Sequence, residues 1–202
     1  GMPAAAEEGM IARDVGLVRR TGGRLHVQHL STAGGLALVR AARAEGLPVT
    51  CEVTPHHLTL TDAAVLEHGA NAKMNPPLRS RADVEALRQG LAEGVIDAIA
   101  TDHAPHTVAE KCLPLAEAPF GIVGLETAVG LTLTHLVHTG VLTLGAAIDA
   151  WTRRPAAVFG LEGGSLALGQ VGDVTVIDPE AEWTVDPGTF RSRGRNIPFA
   201  GW

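Results

Sequence analysis

Val95-Ile96-Asp97-Ala98-Ile99-Ala100-Thr101-Asp102-His103-Ala104-Pro105-His106 is the stretch on which the fold turns. Its first half is short and rich in Ile, Val and Ala, which reads as a buried strand. Its second half sets a carboxylate at the strand's carboxyl end, with His103 and His106 close behind. Parallel α/β scaffolds carry their chemistry at that end of their strands. For a lone Asp-His pair, a helix N-cap followed by surface histidines is the better reading. What surrounds the stretch decides between the two.

Upstream, residues 83–94 form an amphipathic helix pattern with Val84, Leu87 and Leu91 inward. Before it, residues 48–53 read as a strand, and residues 35–45 as an Ala- and Leu-rich helix ended by Gly46. Residues 25–30 alternate like a strand, with Leu25, Val27 and His29 on one face. Residues 6–20 are helical by the spacing of Met10, Ile11, Val15, Leu17 and Val18, and Gly22-Gly23 stops that helix. Thr61-Asp62 is expected to cap a short helix running to His68. Strand-helix-strand alternation of this kind marks a parallel sheet covered by helices, so the fold class is α/β.

Downstream, residues 125–138 and 144–159 are expected to be two further helices. After Gly163-Gly164 the texture changes. Residues 172–178 and 182–185 have the β-branched character of short strands split by Pro and Gly. The expected division is an α/β body over residues 1–162 and a small β appendage over 163–202.

Composition narrows the function classes. Hydrophobic residues make up 46% and aromatics only 3%, with no Tyr, so small aliphatic side chains build the core. A formal net charge of −6 argues against a nucleic-acid or anionic-membrane surface. No apolar run approaches the ~20 residues needed to cross a bilayer. Two cysteines, Cys51 and Cys112, make no disulfide framework and fit a reducing cytoplasm.

Three strand ends now present polar groups in series: His29 on the first, the run from Glu52 to His57 on the second, and Asp102, His103 and His106 on the third. Imidazole and carboxylate are the donors that zinc prefers in hydrolytic sites. A carboxylate beside a metal-activated water can take its proton and pass it to a leaving nitrogen. Asp102 is the candidate for that work.

Five motifs occur in order: His26-Val27-Gln28-His29-Leu30-Ser31-Thr32, Glu52-Val53-Thr54-Pro55-His56-His57-Leu58, Lys73-Met74-Asn75-Pro76-Pro77-Leu78-Arg79, Asp102-His103-Ala104-Pro105-His106 and Ala118-Pro119-Phe120-Gly121-Ile122-Val123-Gly124-Leu125-Glu126. Together they resemble the dihydroorotases of the longer, bacterial and multifunctional-complex type, within the amidohydrolase superfamily of metal-dependent barrels. The resemblance runs from the start of the chain to Asn196-Ile197-Pro198-Phe199. It implies a partial (β/α)8 barrel, with about strands six to eight present, and a cytoplasmic enzyme of pyrimidine biosynthesis that interconverts carbamoyl-aspartate and dihydroorotate.

By the same resemblance His29 is a metal ligand, and Asp102 is both a metal ligand and the general acid/base. Asn75 and His106 contact the dihydroorotate ring and its carboxylate, Phe120-Gly121 offers backbone to the substrate, and residues 106–119 border the pocket. Glu52 matches a carboxylate near the metals in some members. The implied cofactor is zinc, one or two ions per site. The implied partners are the small substrate, and a second copy or aspartate transcarbamoylase. Hydantoinases and allantoinases share the barrel and the Asp-His element but not Asn75-Pro76-Pro77 together with Asp102-His103-Ala104-Pro105-His106.

Other polar residues have plainer readings. His26 is read as a hydrogen-bonded strand histidine, and His56 and His57 as wall-forming residues. His68, His135 and His138 are read as solvated, Cys51 as a buried thiol and Cys112 as a loop thiol. His103 is a candidate support for Asp102. The family's His-x-His pair and the arginine that follows it are absent from this sequence. The chain is therefore read as the carboxyl-terminal portion of a dihydroorotase, inactive alone. One alternative is a non-catalytic subunit that scaffolds aspartate transcarbamoylase, which would need neither His29 nor Asp102; the other is a hydantoinase- or allantoinase-like hydrolase of a different cyclic amide.

Overall fold

A computed structural model describes residues 2–202. Helix α1 (Ala4–Thr21) opens the chain, and Gly22 closes it in the left-handed conformation, with its N–H on the Val18 carbonyl. Then come strand β1 (Leu25–Val27), helix α2 (Ala33–Ala44) and strand β2 (Val49–Val53). Two short helices come next, α3 (Pro55–Thr59) and α4 (Ala64–His68), before α5 (Arg81–Ala92) and strand β3 (Ala98–Ile99). The strands form one parallel sheet in the order β1-β2-β3, with Leu25 opposite Val49 and Val53 opposite Ile99. Parallel strands point one way, so all three carboxyl ends lie along one edge.

Strand alternation sorts the side chains of β2. Val49, Cys51 and Val53 are buried, while Thr50 and Glu52 are less so. The first set shares a core with Ile11 and Val15 of α1, Leu36 and Val39 of α2, and Leu87 and Leu91 of α5. On the opposite face His26 bridges the strands, Nδ1 to Thr50 Oγ1 at 2.8 Å and Nε2 to Glu52 Oε2 at 3.1 Å. That is the bonded strand histidine the sequence suggests.

The strands are shorter than the sequence pattern. β1 ends at Val27 because Gln28-His29 turns out of the ladder, and the alternation expected to carry His29 with Leu25 and Val27 stops there. β3 keeps only Ala98 and Ile99 of the strand expected over residues 95–101. Thr61 and Asp62 do not cap α4; the N-cap is Ala63, with no side-chain bond.

After β3 the chain forms the short helix α6 (Val108–Lys111). The helix expected over residues 125–138 is α7 (Ala128–Thr132) running into one π turn (Leu133–Val137). The helix expected over 144–159 breaks at Thr152 into α8 (Leu144–Trp151) and α9 (Arg153–Phe159). Pro155 explains the break. It has no N–H for the Trp151 carbonyl, and its ring would strike that carbonyl in a continuous helix.

Residues 172–178 and 182–185 hold no strand. Val174 and Val176 are largely exposed, and no strand lies beside them among the described residues. A β-branched run without a partner has nothing to bond its backbone. Residues 185–199 behave differently. Val185, Phe190, Ile197 and Phe199 share a second core with Leu60, Met74, Ile122 and Val123. Among the described residues no helix is long and apolar enough to cross a membrane.

Candidate active site

The carboxyl edge of the sheet gathers the polar residues. After β1, His29 takes a left-handed backbone, φ +37°; after β3, Asp102 does the same, φ +47°. Side chains other than Gly adopt this region at a cost, and it recurs at functional sites. A dense polar network fixes the segment after His29. The Glu7 carboxylate, from α1, accepts from the backbone N–H of Ser31 at 2.9 Å and of Thr32 at 3.1 Å, and from both their hydroxyls. Arg79 completes it, with Nε on Ser31 Oγ at 3.0 Å and Nη2 on Glu7 Oε2 at 3.4 Å.

Asp102 is half-buried. Burial raises its carboxyl above the usual range, His29 opposes that rise and Glu52 adds to it. Asp102 therefore lies within electrostatic reach of both His29 and Glu52. His29 Nδ1 is buried with no hydrogen-bond partner among the described residues. An imidazole with an unclaimed buried nitrogen beside a carboxylate is the donor chemistry a zinc-like ion takes. The donor types fit. Their number falls short, since no group of three or more His, Cys, Asp or Glu could hold an ion among the described residues.

The histidines after β2 form wall. Thr54 caps α3, its Oγ1 accepting from the His57 N–H. His57 Nε2 donates to the Pro76 carbonyl at 3.0 Å, so its Nδ1 accepts from the Thr54 hydroxyl at 2.8 Å. With both nitrogens used, burial depresses His57 to about 4, and His56 also lies well below its ordinary value because it is buried. His103 is likewise engaged: Nδ1 accepts from Gly124 N at 3.1 Å and Leu125 N at 3.3 Å, clipping the Asp102 turn to the neighbouring loop.

The residues expected to meet substrate come together through loops. Lys73 O accepts from Gly121 N at 2.8 Å, which brings the segment carrying exposed Asn75 beside Gly121. His106 Nε2 donates to Phe120 O at 2.8 Å, and its Nδ1 lies 4.0 Å from Glu110 Oε2. Phe120 is exposed, with the Lys73 ammonium 4.5 Å from its ring centroid. Two lysines pin the bordering loop. Lys73 Nζ donates to Ala116 O and Ala118 O, and Lys111 Nζ to Ala70 O and Pro119 O. Burial, then the nearby Lys73 charge, lowers Lys111 to about 8.

His135 and His138 lie away from this edge. His135 is half-buried and packs 5.6 Å from Trp202, not solvated as expected, while His138 is exposed and 3.9 Å from Glu180. His68 is partly buried beside Glu67. Cys51 is a buried thiol pushed up to about 12 by desolvation, and Cys112 is exposed.

Two residues the sequence did not mark belong to the site's frame. Glu7 looks like an ordinary first-turn acid of a helix, and nothing in its spacing signals the network around Ser31. Asn196 is buried and bonded to three backbone groups, at Ala104, His106 and Gly121. Its only signal was its place in the last segment that the resemblance covers.

Residues 15–198 match the Amidohydrolase family, and the chain belongs to it. Two relatives both bear the name dihydroorotase. One, from Pelotomaculum thermopropionicum, is 56% identical over all of this chain and 47% of its own length. The other, from Anaeromyxobacter dehalogenans, is 55% identical, again over the whole chain and 47% of the relative. The chain thus spans about half the length of the curated relatives it matches. Among solved structures, an L-hydantoinase (dihydropyrimidinase) from Arthrobacter aurescens superposes with a TM-score of 0.94 at 32% identity, over 99% of this chain and 46% of that one. A D-hydantoinase from Thermus sp. gives 0.92 at 30% identity, over 99% and 45%.

Proposed function

We propose that the protein to which this chain belongs is a metal-dependent dihydroorotase of the cytoplasm, and that the chain supplies about strands six to eight of its (β/α)8 barrel. The observation that carries this is 55–56% identity across the whole chain to relatives named dihydroorotase. The hydantoinases that share the fold reach only 30–32%. As part of the same proposal, residues 1–162 are barrel and residues 163–202 belong to an appended unit.

His29 and Asp102 would hold the metal, one or two zinc ions, with further donors from outside this chain. A bound ion of this kind polarises an amide carbonyl and acidifies water. Asp102, its carboxyl raised by burial, takes the proton of the attacking water and returns it to the ring nitrogen as the amide bond breaks. In the reverse direction it takes the proton from that nitrogen as the ring closes and passes it to the carboxyl oxygen that leaves as water. Asn75, His106 and the Phe120-Gly121 backbone orient the ring and its carboxylate. His103 holds the turn that aims Asp102.

The test is dihydroorotate turnover and metal content of the intact protein, wild type against two variants. Asp102→Asn keeps the shape but removes the basic oxygen, and turnover should fall about a thousandfold or more. His29→Ala should lower metal content, because few donors hold each ion. Near-normal turnover in Asp102→Asn, or unchanged metal in His29→Ala, would remove those assignments.

A further inference from the structure

Asn196 reaches the site from the far end of the chain and is almost wholly enclosed, at 4% exposure. Its side-chain Nδ2 donates to Ala104 O at 2.9 Å and to Gly121 O at 3.1 Å. Its Oδ1 accepts from the His106 backbone N–H at 3.0 Å. Its own carbonyl accepts from Val123 N at 2.9 Å. One primary amide thus spends both its protons and a lone pair on two different loops.

Those loops already approach closely. Ala104 N donates to Ile122 O at 2.8 Å. Gly121, at φ +109°, has no room for a side chain: a Cβ there would lie 2.4 Å from Ala104 Cβ. Gly194 lies against the same turn, where a Cβ would come 2.7 Å from Pro105 Cβ. The loops are in contact and bonded directly, and Asn196 adds three side-chain bonds that hold the His106 backbone against Gly121. No isostere does the same. Asp would turn an oxygen toward two carbonyls, and an aliphatic residue would leave three buried backbone groups unpaired.

We propose that Asn196 is a positioning residue for substrate specificity, fixing the register between the turn carrying His106 and the backbone at Phe120-Gly121. This rests on the assignment of His106 and Gly121 to the ring and carboxylate of dihydroorotate, and adds the residue that aligns them. Asn196 reaches neither His29 nor Asp102 with its side chain, so recognition depends on it and metal binding does not.

The experiment uses the intact protein with Asn196→Asp and Asn196→Ser, the second keeping one hydroxyl that reaches part of the network. Metal content, kcat and KM for dihydroorotate are measured, with competition by dihydrouracil, a ring that lacks the carboxylate. Asn196→Asp should raise the dihydroorotate KM at least about tenfold while kcat changes less than about threefold. Metal content should hold, the dihydrouracil inhibition constant should move less than KM, and Asn196→Ser should fall between. An active wild type whose folded variants keep their KM overturns this inference alone. So does a joint fall of kcat, metal content and both ring affinities, or failure of both variants to fold, since each would make Asn196 a residue of the fold only. A wild type inert toward dihydroorotate overturns the dihydroorotase assignment, and this inference with it.

Discussion

Val53 at the end of β2 and Val176 in the carboxyl-terminal segment sit in similar β-branched sequence, yet the first is 0% exposed and the second 92%. Val53, in the central strand, has β3 paired beside it at Ile99 and helices over one face. Val176 has neither, and it shares that condition with Leu166 and Leu168. Strand character in a sequence states a preference for a half-buried pleated surface; whether a strand forms depends on a neighbour to bond and a layer to cover it. The strand-end region is stiff and polar where chemistry is expected. The segment over residues 161–184 contributes little to either core.

That contrast can be broken most sharply at Glu7. Its carboxylate serves four donors of Ser31 and Thr32 and faces the Arg79 guanidinium, both side chains being nearly buried. Glu7→Ala leaves a buried cation and two backbone N–H groups unpaired, so urea unfolding should show a loss of about 3–5 kcal/mol. A loss under about 0.5 kcal/mol would mean that the segment after His29 is held by something else.

Acid tests the same region through its enclosed histidines. His57 is neutral in the folded chain and depressed to about 4 by burial, against about 6.5 when unfolded. Between those values the unfolded chain binds more protons, so stability must rise with pH across the window. The contribution is complete above pH 6.5 and lost as pH falls to about 4, a change of about 3 kcal/mol, with His56 acting in the same direction. Urea midpoints at pH 7, 5.5 and 4 measure it, and His57→Gln should flatten the dependence. An equal slope in that variant would exclude His57 as the source.

The smallest effect belongs to the exposed segment. Val176→Thr should shift stability by less than about 0.5 kcal/mol, as for a surface position without partners. A loss above about 1 kcal/mol in the same urea experiment would show that residues 172–178 are covered after all and narrow the contrast with β2.

Much of this arrangement was legible in the sequence. The helix-strand rhythm up to Asp102 comes from apolar spacing and from Gly22 and Gly46, and the motifs placed His29 and Asp102 at strand ends. Strand length was not legible: β1 gives way to a turn at His29 whose backbone conformation its residue type does not announce, and β3 starts late because Val95 and Ile96 bond back to the Gly90 carbonyl. Nor was the break at Thr152, although Pro155 three positions later carried the reason. Glu7 and Asn196 escaped because each works at long range, 24 and 90 residues from partners they bond. Periodicity reports local preference and is silent on such pairs.

On the proposed function, His29 and Asp102 belong to a donor set completed from outside this chain. The direct measurement is dihydroorotate turnover by the purified 202-residue chain with zinc supplied. A catalytic zinc takes about three protein ligands, more than the described residues bring together. The chain alone should show no turnover above the zinc-only control. Sustained zinc-dependent turnover by the chain alone would contradict the account.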